Sequence, residues 1–193
     1  MKLRKINAGV SLITTILLLI HALSLAAWML SRGSIPRIGS PVAWALAGAV
    51  VLHAILSIAI MISSHKGNKK SKVKAYPKMN VPTIVQRLSG ILMLIGTGLH
   101  IADATGRLQP PNVIVAGATG VAQQPPQSSL GHAILPPLFF ILVMAHIAVS
   151  TSKAFITLGI GNAKFVKRMD IAVKLLCAVT LIADIVGFYL YMY

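Results

Sequence analysis

Five long apolar runs divide the chain, at roughly 6–31, 42–63, 82–104, 133–158 and 170–192. Each is near the ~20 residues needed to cross ~30 Å of hydrocarbon. Lipid offers no partner to a bare backbone N–H or C=O, so each run is expected to be an α-helix. The composition agrees: 56% of the 193 residues are hydrophobic, and the only acids are Asp103, Asp170 and Asp184. A chain so poor in polar residues cannot clothe a soluble domain. The expected fold class is an all-α integral membrane protein, a single domain over 1–193 with five transmembrane helices in a bundle.

The net charge of +15 would suggest a nucleic-acid partner in a soluble protein. Here the basic residues sort by loop instead. Lys2, Arg4 and Lys5 precede the first run; six lysines from Lys66 to Lys78 follow the second; Lys164, Lys167 and Arg168 precede the fifth. The opposite loops hold only Arg32, Arg37 and Arg107. The positive-inside rule then places the N-terminus of this multi-pass protein in the cytoplasm and the C-terminus outside. No nucleic acid is expected. The basic inner loops suit anionic lipid headgroups or a docked cytoplasmic partner. The start, MKLRK before an apolar run, is like a signal peptide but the run is too long for one, and it is read as a retained span. The outer stretch 105–132, with its Pro pairs, is expected to be irregular. Cys177 is expected to be a core thiol, and Trp28 and Trp44 to be interfacial anchors.

The histidines carry the functional signal. Of six, His65 and His132 fall at span ends, where an imidazole can reach water. His21, His53, His100 and His146 each fall inside a different run. An ionisable residue within a membrane is costly and points to function. Measured from the inner ends of their runs at 1.5 Å per residue, His21 and His100 lie at about 22 and 27 Å. His53 and His146 lie at about 15 and 18 Å on the same basis. The four thus form an outer pair and an inner pair. A weak internal echo supports this, since "SLITTILLLIHALSLA" is like "RLSGILMLIGTGLHIA".

Two neutral imidazoles at one depth need a partner. A proton relay would need acids, which are scarce, and a zinc site would want three or four ligands together. Haem iron takes one imidazole on each side of the macrocycle, and apolar helices can cover the porphyrin. Small residues beside the ligands, Gly96 and Gly98 before His100 and Ala145 and Ala148 around His146, would leave room for it. Two pairs at two depths would make an electron path across the membrane.

These residues resemble a known family. "QRLSGILMLIGTGLH" resembles the Q-R-x-[ST]-G, apolar run and His of the five-helix, two-haem cytochrome b anchors of succinate:quinone oxidoreductases, with Gln86, Arg87, Ser89, Gly90 and His100 in place. "AHIAVSTSKAFITLG" and "LHAILSIAI" resemble the ligand regions of its fourth and second helices. The resemblance implies two haem b groups, with His21 and His100 on the iron of the distal haem and His53 and His146 on that of the proximal one. It also implies a flavoprotein subunit carrying FAD and an iron–sulfur subunit on the cytoplasmic face. Electrons would pass to or from a membrane quinone, menaquinone in the first instance. The anchor itself would bind no dicarboxylate. The chain departs from some members in lacking any Glu, and Met144 stands two residues before His146.

Other roles stay open. The quinone site has no assigned residue; Asp103, near the outer end, could accept a proton from a quinol or could be a solvated helix-end carboxylate. Asp184 is expected to make an interhelical hydrogen bond. Arg87 and Ser89 could face a haem propionate, or Arg87 could snorkel to headgroups; Lys153 has the same choice. The competing readings are a dihaem cytochrome b serving another membrane dehydrogenase, and a haem-free helical anchor or transporter. The apolar runs show no Gly- or Pro-broken pair of the kind that marks transporter sites.

Overall fold

The structure, a computed structural model, describes residues 2–36, 40–68, 81–104 and 130–192. All five expected spans are helices: α1 Lys2–Leu30, α2 Ser40–Asn68, α3 Val81–Ala104, α4 Leu130–Leu158 and α5 Ala163–Met192. Each is long and apolar enough to cross a membrane. The described residues contain no strand. The protein has the all-helical architecture of a multi-pass membrane protein. Residues 69–80 and 105–129, and the side chains of His65, Asp103 and His132, lie outside the described part.

The ends differ from the expected boundaries. Helix α1 starts about four residues early and α5 seven, and α2 runs five residues late, to Asn68. Hydropathy marks only what sits in hydrocarbon, whereas Lys and Arg are good helix formers that carry a helix on into the interface. The start of α5 is fixed by Asn162, whose Oδ1 accepts from the Phe165 amide at 2.9 Å as an N-cap. Helix α4 stops one turn earlier in space, at Gly159. Its φ of 74° lets the Ile160 amide reach back to the Phe155 carbonyl at 3.0 Å, which closes the last turn of the helix. Pro136 and Pro137 lie within α4 without ending it. In membranes neighbouring groups can take up the backbone bonds that such prolines release.

Helices α1, α2, α3 and α4 form a ring in chain order, in which each packs on the next and α4 returns to α1. The α2–α3 seam is slight. The diagonals do not touch: α1 makes no contact with α3, nor α2 with α4. Helix α5 stands outside the ring and packs along both α1 and α4. The buried core lies where these three helices meet, at Ala22, Val143, Met144, Ile147 and Cys177. Cys177 is therefore the core thiol expected.

Small residues bring these backbones close, the usual means by which membrane helices associate. A Cβ at Gly187 of α5 would stand 3.1 Å from that of Met29 and 3.5 Å from the Ala26 carbonyl on α1. The same seam hides Thr180 and Asp184, both with no exposure. The expected hydrogen bond of Asp184 to a neighbouring helix is not made. Neither carboxyl oxygen, nor the Thr180 hydroxyl one turn away, has a partner among the described residues.

These features give opposite expectations for two substitutions. Gly187→Leu overpacks the seam and should lower stability by about 2 kcal/mol. Thr180→Val keeps the volume and removes an unsatisfied hydroxyl, so it should be neutral or stabilising by about 1 kcal/mol. Thermal unfolding in detergent distinguishes them. A clear loss of stability for Thr180→Val would mean that the hydroxyl has a partner.

Candidate functional site

The ring places the four intramembrane histidines on its four helices, with His21 on α1, His53 on α2, His100 on α3 and His146 on α4. The inner pair is brought together. His53 and His146 lie near enough to interact electrostatically, although their helices make no contact. They thus stand on diagonal helices of the ring, within electrostatic range of each other.

His146 is held from α3. Its Nδ1 lies 2.9 Å from the Ser89 hydroxyl. The same hydroxyl lies 2.6 Å from the Val85 carbonyl; with its proton given there, its oxygen accepts from the ring. The backbone of Gln86 also interacts with the ring. A proton on Nδ1 leaves the lone pair on Nε2, the form in which a histidine ligates a metal. Gly90 makes the close approach possible, since a Cβ there would stand 3.3 Å from His146 Cε1. His53, across the diagonal, has a buried Nδ1 with no hydrogen-bond partner among the described residues. Just below it Asn7 of α1 donates to Ser57 at 3.2 Å, which ties α2 to the ring.

The outer level is set by Phe139. The His100 ring stacks on it, with centroids 5.9 Å apart and planes at 22°. A Cβ at Gly96 would stand 2.6 Å from that phenyl ring, so Gly96 admits Phe139 rather than standing empty. Ten residues of α3 separate His100 from Gly90, about 15 Å along the axis at 1.5 Å per residue. The two levels expected from the sequence are therefore distinct on the α3–α4 face. His21 is half-buried and His100 exposed.

At the inner end, Lys153 of α4 donates to the Gln86 side chain at 2.7 Å, and Arg87 lies close enough for its charge to act on Lys153. Gln86 thus holds a lysine. Two cations side by side at a membrane end favour an anion near them. Among the described residues, no three or more His, Cys, Asp or Glu side chains gather as ligands for a metal ion.

The sequence left Phe139 and the Lys153–Gln86 bond unseen. The only signal for Phe139 was the glycine opposite it, Gly96, whose partner helix and rotation could not be read. Comparison with protein-family models, curated proteins and solved structures finds no significant match to the chain.

Removal of the Ser89 hydroxyl leaves a buried imidazole N–H without its acceptor. Ser89→Ala should cost about 1–2 kcal/mol in thermal unfolding, and Ser89→Thr should largely retain the stability. Equal stability of all three forms would remove the Ser89–His146 bond from the account.

Proposed function

We propose that the chain is a dihaem membrane cytochrome b, the anchor subunit of a succinate dehydrogenase or fumarate reductase complex. It would carry electrons between a cytoplasmic iron–sulfur subunit and a membrane quinone, with a flavoprotein subunit performing the dicarboxylate chemistry. The observation that carries this reading is the diagonal His53–His146 pair, on helices that do not touch.

The residues fit haem. Iron in a porphyrin asks the protein for two ligands, one from each side, and a diagonal pair supplies them. The orphaned His53 Nδ1 and the tautomer imposed on His146 by Ser89 suit a proximal ligand pair. Gly90 keeps the face beside His146 clear. His21 and His100 would hold the distal group, with Phe139 beside it. When bound, each haem supplies a one-electron centre whose potential follows from ligation and burial.

The chain's own residues have simpler tasks. Ser89 orients the imidazole, and Lys153 and Arg87 offer charge-assisted hydrogen bonds to propionates, with Gln86 holding Lys153 in place. The apolar ring keeps water from the ligands. Basic positions at the starts of α1 and α5 orient the protein with its N-terminus in the cytoplasm and give acidic partner subunits a docking face. Asp103, in the last turn of α3, is the carboxylate nearest the distal pair in sequence and the candidate for taking a proton from a quinol. The haem-free reading rests on the same histidines acting as polar bridges between helices.

Single substitutions of the four histidines test the pairing. His53→Ala and His146→Ala should each remove the same haem from the absorption and EPR spectra. His21→Ala and His100→Ala should each remove the other. Loss of different signals from His53→Ala and His146→Ala would break the inner pair, and protein that binds no haem would leave the haem-free anchor.

A further inference from the structure

A second feature lies away from the histidines. Between the end of α4 and the start of α5, around the Gly159–Asn162 turn, a groove of about 680 Å³ opens on the side of the bundle. Its walls are apolar, from Phe155 and Ile156 near the turn to Val149 deeper on α4, with Val166 facing them from α5. Its charged lining consists of Lys153, Lys167, Lys174 and Asp170. Lys174 pairs with Asp170 at 2.5 Å. Three lysines and one aspartate leave the groove a net charge of +2.

We infer that this groove binds an anionic phospholipid of the leaflet on the α4–α5 turn side. Its phosphate would lie by Lys167, four residues or about 6 Å from the start of α5 at 1.5 Å per residue, and an acyl chain along the deeper Val149. Depth decides for lipid over a soluble partner. Val149 stands nine residues before the end of α4, about 14 Å into the span at 1.5 Å per residue. Ile156, at the groove's edge, is 66% exposed, as suits a side chain against hydrocarbon. A water-soluble segment could meet the lysines but could not follow the apolar wall down. A lipid supplies both halves, a charged head at the interface and a chain below it. The groove lies on the α4–α5 side of the bundle, and this inference does not rest on the haem reading.

The test uses the full chain in a zwitterionic detergent and measures its thermal unfolding against added phosphatidylglycerol or phosphatidylcholine. Phosphatidylglycerol should stabilise the protein in a saturable way, and phosphatidylcholine should do so much less. Lys167→Gln should weaken the apparent affinity about fivefold, the worth of one lysine near a charged surface. Lys164→Gln removes the same charge just outside the groove and should change it little. Val149→Phe, which fills the apolar wall, should reduce the response while every lysine stays in place. Equal losses for Lys167→Gln and Lys164→Gln would show diffuse attraction to the basic end and overturn the site. Equal stabilisation by the two lipids would also overturn it, and would leave the lysines to an acidic segment of a protein partner.

Discussion

The bundle depends on the close seam where α1, α4 and α5 meet. Membrane helices gain nothing from hiding apolar surface from lipid, so packing has to come from fit. Here the fit is made by Ala22, Ala26 and Gly187, which let α5 lie against α1, and by Val143, Met144 and Ile147 on α4. Because α5 clamps α1 and α4 from outside, the other two helices hang from that unit, α2 on α1 and α3 on α4. They barely meet each other. The same arrangement keeps the diagonals apart and sets imidazoles on helices that face across the ring without contact.

The polar groups fall into two sets with different fates. Inside the ring, Asn7 bonds Ser57, Ser89 bonds His146 and Lys153 bonds Gln86, while the His53 Nδ1 has no partner among the described residues. In the α1–α4–α5 seam, Thr180 and Asp184 have none among them either. An unpaired buried polar group costs free energy, and an ionised one costs more. The basic groups crowd the other region, at the start of α3, the end of α4 and the start of α5. Arg87 lies on the α3 side of α4's end and Lys167 and the Lys174–Asp170 pair on the α5 side, with Lys153 between them, bonded to Gln86 and lining the groove.

Much of this fold was legible in the sequence. Hydropathy found all five helices, because lipid leaves the backbone no alternative. It missed their ends, because Lys, Arg and an N-cap such as Asn162 extend helices where hydropathy falls. The placing of four histidines on four helices, and the separate levels of His100 and His146, followed from counting residues at a fixed rise. What each ring touches did not follow, since that depends on how each helix is rotated about its axis. Phe139 beside His100 and Gln86 under Lys153 are of this kind. Asp184 is the clearest miss: a polar residue within a span was expected to bridge helices, and its buried carboxyl oxygens have no partner among the described residues.

The dithionite-reduced minus oxidised spectrum of the purified protein, with haem counted per chain, tests the central claim most directly. The diagonal pairs predict b-type bands and about two haems per chain, each with two imidazole ligands. A count near one would mean that only one pair ligates. Protein without haem, after expression with ample haem supply, would contradict the electron-transfer reading and leave the histidines as polar bridges within a structural bundle.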